Sequence, residues 1–331
     1  MTATETTELI GIEAIRAAAE RLRGVITRTP LVPFDAPPDR MFVKAENLQP
    51  IGAFKIRGAY NAIASLDAAE RARGVITYSS GNHAQGVARS ARLLGIPAVV
   101  VMPDDAPVIK RDRVARDGAE IVTVGPASDE RQARAEEIAA ERGLAIIPPF
   151  DDDRIIAGQG TVGLEILEEL PGVDLIVVPV GGGGLAGGVA TAVKALRPDV
   201  RVIGVEPELA ADAKASLERG EIVRWEAADV SRTIADGTRT QALGTRTFAH
   251  LRANIDAIVT VTEAEIAAAV RLAAERARLV LEPSGALAIA ALAFREDAIR
   301  TGLGGDAVAV ASGGNVDPAA YRRYLETPLP G

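Results

Sequence analysis

No cysteine occurs in the 331 residues, which excludes disulfides, thiolate metal sites and a cysteine nucleophile. Aromatic side chains make up only 3%. Close backbone packing and small side chains are therefore expected instead of an aromatic core. Long apolar runs are missing too. The longest, such as Ala98–Met102 and Leu175–Val180, are far too short to span a bilayer. The start, Met-Thr-Ala-Thr-Glu-Thr-Thr-Glu, is acidic and polar and lacks the basic and apolar stretches of a signal peptide. These absences predict a cytoplasmic protein with no membrane segment. Excess positive charge is also absent. A formal net charge of −8 argues against nucleic acid as the main partner. It leaves room for one small anion held in a local pocket.

What is present is an alternation of strand-like and helical stretches. The strand candidates are 41–44, 75–78, 98–102, 120–124, 145–147, 175–180, 202–205, 257–261 and 307–311. They are rich in Val and Ile, and several lack the polar alternation of a half-exposed sheet. Strands buried on both faces of a parallel sheet read this way. Between them, helical patterns cover 12–22, 56–66, 84–94, 108–116, 130–142, 154–170, 185–196 and 264–279. Thr262 with Glu265 fits a capping box for the last of these. The order predicts an α/β protein with parallel sheets and right-handed crossovers. Pro148-Pro149 and the acidic run Asp151–Asp153 mark a candidate boundary, the acidic run reading as a solvated turn.

Three loops at predicted strand ends carry polar or glycine-rich chemistry. Gly181, Gly182, Gly183 and Gly184 follow 175–180 and precede a helix. Backbone N–H groups can converge there on a phosphate without Cβ clashes, and the helix start adds partial positive charge. The segment Gly182-x-Gly184-x-x-Gly187, with Glu206 after the next strand, also fits a dinucleotide pattern, so an NAD-binding Rossmann protein is a competing reading. Ser79-Ser80-Gly81-Asn82-His83 supplies hydroxyls, an amide and exposed N–H groups suited to a carboxylate. Ser312-Gly313-Gly314-Asn315 follows the last strand. Loops of this kind converge at strand C-terminal ends in open α/β sheets. Lys55, between Phe54 and Ile56, lies in apolar surroundings, where an amine loses charge and becomes an imine-forming nucleophile.

Taken together, these residues resemble the fold-type II pyridoxal-phosphate enzymes, nearest the threonine/serine dehydratase and serine racemase group. The matching stretches are Gly-Ala-Phe54-Lys55-Ile-Arg-Gly, Ser80-Gly81-Asn82-His83, Ala157–Thr161, Gly181–Gly184, Ile234–Gly237, Glu282-Pro283 and Ser312–Asn315. They occur in family order over nearly the whole chain. The resemblance implies two open parallel-sheet domains, tryptophan synthase β-like, with the cofactor between them. A large domain would comprise residues 1–49 and 148–331, and a small mobile one 50–147. A homodimer is the family-level expectation.

The resemblance also assigns roles. Lys55 would hold pyridoxal 5'-phosphate as a Schiff base and remove the substrate α-proton. Phe54 would pack near the cofactor ring. Asn82 would bond the phenolic oxygen, Gly181–Gly184 the phosphate, and Ser312 the ring nitrogen. Ser79, Asn82 and His83 would surround the substrate carboxylate. The implied reaction is β-elimination of water from L-threonine or L-serine, giving a 2-oxo acid and ammonia. Ser80, on the cofactor face opposite Lys55, would permit racemisation, so serine racemase stands as an alternative, as does 3-hydroxyaspartate dehydratase. Glu206, the Ala210 carbonyl and Asp212 resemble a divalent-cation loop that would take Mg²⁺ or Ca²⁺. Racemase-like members carry a substrate-reaching Arg near Asp129–Gln132. Here Arg131 stands beside Gln132, and no substrate role is assigned to it. The end at Gly331 fits a short, catabolic form without a feedback domain.

Overall fold

The computed structural model describes residues 8–35, 40–79, 81–104, 106, 108–125, 128–300 and 302–330. A six-stranded sheet contains β1 (Leu31–Pro33), β2 (Met41–Ala45), β7 (Val173–Pro179), β8 (Arg201–Pro207), β9 (Ala257–Val261) and β10 (Asp306–Ala311), in the order β1-β2-β10-β7-β8-β9. A four-stranded sheet contains β3 (Val75–Tyr78), β4 (Ala98–Pro103), β5 (Glu120–Val124) and β6 (Ala145–Ile146), in the order β5-β4-β3-β6. All pairings are parallel except β1 with β2. The antiparallel edge strand β1 is too short for its pattern to be read in the sequence.

The continuous Val/Ile runs have the expected cause. Leu175 and Val177 of β7 enter one core with Ile203 and Val205 of β8 and Ala307 and Ala309 of β10. Ile176, Val178, Val202 and Val308 enter a second core on the opposite face. Alternate residues thus face two apolar layers, and each fully buried Val or Ile contributes about 1.5–3 kcal/mol. The helix Pro283–Phe294 lies in the first of these cores. It is apolar all round, so no periodicity revealed it. The capping box forms: Thr262 Oγ1 accepts from Glu265 N–H at 3.2 Å, and Glu265 accepts from Thr262 N–H at 2.7 Å. The helix it opens is α-helical only to Leu272 and continues as a π-helical turn, Ala273–Ala277.

The acidic run Asp151–Asp153 is not a solvated turn. Asp151 accepts from the N–H groups of Thr245, Arg246 and Thr247, Asp152 caps the helix Asp153–Glu169, and Asp153 pairs with Arg246. These bonds satisfy donors that helix starts leave free. No helix among the described residues is long and apolar enough to cross a membrane.

One helix links the two sheets. Lys55–Ala64 packs against Asn82–Leu94 on one side and Asp153–Glu169 on the other. A Cβ at Gly158 would lie 2.6 Å from Arg57 O, so glycine permits this close crossing. Arg57 is fully buried there and forks onto Glu46 (2.7 Å) and Glu165 (2.7 and 2.9 Å). Lys44, also fully buried, pairs with Glu165 at 2.8 Å.

Candidate active site

The C-terminal ends of β3, β7 and β10 open onto one cleft of about 320 Å³. Phe54, Lys55, Ser79, Asn82, His83, Gly181, Gly182, Gly183, Gly184 and Ser312 all line it. Ser80 lies outside the described residues. Glu206, Ala210 and Asp212 are not among the lining residues.

Lys55 is the first residue of its helix, and its segment is tied to the end of β10. Ala53 bridges Gly313, and Phe54 N–H donates to Ser312 O at 3.0 Å. The ammonium donates to Pro149 O at 2.6 Å and sits 5.2 Å from the centre of the Phe54 ring. No carboxylate pairs with it in the described structure. Burial therefore acts unopposed and pulls its pKa down to about 8.

Two positions of the glycine run, Gly182 and Gly183, require glycine. Gly183 has φ +89 and precedes the helix Gly184–Leu196. A Cβ at Gly182 would stand 2.2 Å from the Phe150 ring, and one at Gly183 2.9 Å from Thr247. Among the described residues no side chain caps this helix start. The run lines the cleft at a helix start, where backbone N–H groups without a Cβ suit a phosphate.

Asn82 donates to Glu282 Oε1 at 2.6 Å, and its Oδ1 accepts from Asn315 at 2.8 Å. Glu282 lines the same cleft but is buried, and burial, with the Asp236 charge, pushes its carboxyl up to about 7. Ser312 Oγ is within 3.4 Å of Ser284 O. Ser79 Oγ accepts from Gly81 N–H at 3.2 Å. His83 Nε2 faces Ile147 O at 3.0 Å. A carbonyl only accepts, so Nε2 carries the proton and Nδ1 is a lone pair, unpartnered among the described residues. Burial and the nearby Lys55 charge pull the His83 pKa to about 3, which keeps the ring neutral.

Other lining groups carry no role in the sequence reading. Lys110 bridges to Asp236 at 2.8 Å, joining the two sides of the cleft. Arg131, Arg224 and Arg239 add positive charge to the same wall in a chain that is acidic overall. Arg224 and Arg239 lie far apart in sequence, so no local pattern pointed to them, whereas Arg131 stands where racemase-like members carry an Arg.

Away from the cleft, Glu206 is fully buried and accepts from Ala213 N–H (3.0 Å) and Lys214 N–H (2.8 Å). It caps a helix and is not available to a ribose hydroxyl, so the dinucleotide reading loses its acidic partner. Asp212, also fully buried, has both carboxylate oxygens unpartnered among the described residues. Burial raises both carboxyls, Asp212 to about 7, and the Asp212 charge adds to the rise of Glu206. No group of three or more such side chains gathers there or elsewhere among the described residues.

A family model for pyridoxal-phosphate dependent enzymes matches residues 22–313. An L-threonine ammonia-lyase of Thermotoga maritima is 43% identical over 97% of this chain and 79% of its own length. An L-threo-3-hydroxyaspartate ammonia-lyase of Saccharomyces cerevisiae is 41% identical over 93% of this chain and 94% of its own. The solved structure of maize serine racemase superposes with a TM-score of 0.91 at 36% identity, covering 96% of this chain and 98% of that one.

Proposed function

From the premise that the chain belongs to the pyridoxal-phosphate-dependent enzyme family, we propose that it is an ammonia-lyase removing water from L-threonine and L-serine. One observation carries this reading. An amine without a carboxylate partner, its pKa about 8, shares a cleft with an uncapped glycine cradle. The amine suits the aldehyde and the cradle suits the phosphate. When bound, the cofactor supplies an electron sink for the substrate α-carbon.

The chain's own residues do the rest. Lys55 holds the cofactor and, when released as a neutral amine, accepts the α-proton. Gly181–Gly184 bind the phosphate through backbone N–H groups. Ser312 meets the ring nitrogen with a neutral hydroxyl, and Phe54 packs beside the ring. The loop of Ser79, Asn82 and His83 receives the substrate carboxylate through its backbone N–H groups and the Ser79 hydroxyl, since the His83 ring is neutral with its proton on Nε2. Residues 50–147 form a small domain that closes on a large one made of 1–49 and 148–331, excluding water. A cytoplasmic homodimer is part of the same proposal.

A second reading has an observation behind it. Arg131, Arg224 and Arg239 line the cleft, and a relative at 41% identity is named for L-threo-3-hydroxyaspartate. A second substrate carboxylate would find favourable charge there. The test is a screen of L-threonine, L-serine, D-serine and 3-hydroxyaspartate, measuring both 2-oxo acid and chiral product. The leading reading expects 2-oxo acid from L-threonine and L-serine; product from 3-hydroxyaspartate alone overturns it in favour of the second. Racemised serine without 2-oxo acid would make the enzyme a racemase.

Glu206, the Ala210 carbonyl and Asp212 would hold Mg²⁺ or Ca²⁺. The support is the buried Asp212 carboxylate with neither oxygen paired, beside a second buried carboxylate. Hard oxygen donors of this kind suit such cations. The cation would stabilise the fold away from the cleft.

A further inference from the structure

Asn82 could face the cofactor in either of two ways, amide nitrogen first or oxygen first, and only the first donates to a phenolic oxygen. The structure fixes the choice through groups that can play a single role. Ile51 O can only accept, and it takes a hydrogen bond from Asn315 Nδ2 at 2.9 Å. The Arg113 guanidinium can only donate, and it donates to Asn315 Oδ1. The Asn315 amide is therefore oriented from both ends, with its other N–H aimed at Asn82 Oδ1, 2.8 Å away. On the other side, Glu282 Oε1 takes one N–H of Asn82 at 2.6 Å. Reversing Asn82 would set nitrogen against nitrogen at Asn315 and oxygen against oxygen at Glu282. Asn82 Nδ2 retains one N–H beyond its bond to Glu282, and the residue lines the cleft.

Two glycines make room for this polar chain. A Cβ at Gly313 would lie 2.3 Å from Glu282 Oε1 and 3.2 Å from Asn82 Nδ2. A Cβ at Gly52 would lie 2.5 Å from Asn315 Oδ1. The glycines leave room for the polar chain and for nothing larger.

We propose that Asn315 and Glu282 are positioning residues that lock the Asn82 amide with an N–H available to the cofactor's phenolic oxygen. The proposal rests on the reading that the cofactor binds at Lys55. Asn82 and Arg113 follow β3 and β4, whereas Glu282 opens the helix Pro283–Phe294 and Asn315 follows β10. The lock is therefore complete only when the two sides of the cleft are in contact, so the cofactor gains its donor from the assembled site.

The test compares holoenzyme of the natural sequence with Asn315→Asp, Asn315→Ala, Asn82→Ala and the double variant Asn82→Ala/Asn315→Asp. Two quantities are read: the cofactor dissociation constant by equilibrium dialysis, and the ratio of its long- to short-wavelength absorbance bands. Asn315→Asp places an acceptor against Asn82 Oδ1 and turns the amide round. It should weaken cofactor binding about tenfold and favour the short-wavelength form. Asn315→Ala should shift both in the same direction by less, and serves if the aspartate variant does not fold. The double variant should be no worse than Asn82→Ala alone, because Asn315 acts through Asn82. Additive losses, or an unchanged band ratio in both Asn315 variants, overturn the inference. A natural protein that lacks the long-wavelength band and takes no cofactor after borohydride would instead refute the Lys55 reading.

Discussion

Lys55 and Arg57 stand two residues apart on one helix, Arg57 fully buried and Lys55 partly buried at the cleft wall. Their surroundings differ. Arg57 is gripped by Glu46 and Glu165, whose charges outweigh the cost of burial and raise its pKa. Burial would raise Glu46, but Arg57 holds its carboxyl below the usual range. Arg57 and Glu46 therefore stay charged. Lys55 has the Pro149 carbonyl and no carboxylate among the described residues, so burial lowers its pKa to about 8. Paired buried charges hold structure, whereas an unpaired one is left poised for chemistry. Fixing Arg57 also fixes the turn that presents Lys55.

Substitution separates the two roles. Lys55→Ala should lower elimination roughly ten-thousandfold, since both the anchor and the base are lost, with little change in denaturant midpoint. Retained turnover in a substrate assay would break the contrast. Arg57→Met should do the reverse in kind, costing about 3–5 kcal/mol of stability by leaving Glu46 buried and unpaired. Urea unfolding of the apoprotein measures this, and an unchanged midpoint would show the cluster to be dispensable.

Acidity sharpens the comparison further. Only the neutral amine attacks the cofactor aldehyde. Below about pH 8, capture of the cofactor by apoprotein should slow about tenfold per pH unit, followed by absorbance in stopped flow. A rate still climbing steeply up to the usual lysine range would mean that burial does not tune Lys55. The smallest effect belongs to Glu206 and Asp212. Their folded-state pKa values are raised, so their contribution to stability is present at low pH and is lost as pH rises through about 7 for Asp212. Near neutral pH, Mg²⁺ or Ca²⁺ should therefore raise the melting temperature by a few degrees, and chelator should remove the gain. No shift with either ion would reject the cation loop.

The sequence displayed the buried strands well, because Val/Ile runs on both faces of a parallel sheet leave an uninterrupted signal. It hid the helix Pro283–Phe294 for the same reason, since burial all round erases the helical period. Loops at strand ends were legible where glycine and small polar residues cluster, as at Gly181–Gly184 and Ser312. The charged wall of Arg131, Arg224 and Arg239 was not, because only folding brings those residues together. Asp151 shows a further limit: an acidic run has one appearance in sequence whether it is solvated or caps a helix.

The central claim is that Lys55 carries the cofactor. Borohydride treatment of the holoprotein, followed by proteolysis and mass spectrometry, tests it directly. The account predicts a single peptide bearing the reduced cofactor, with the modification on Lys55. Modification of Lys44, Lys110, Lys194 or Lys214 instead, or no modified peptide at all, would contradict it.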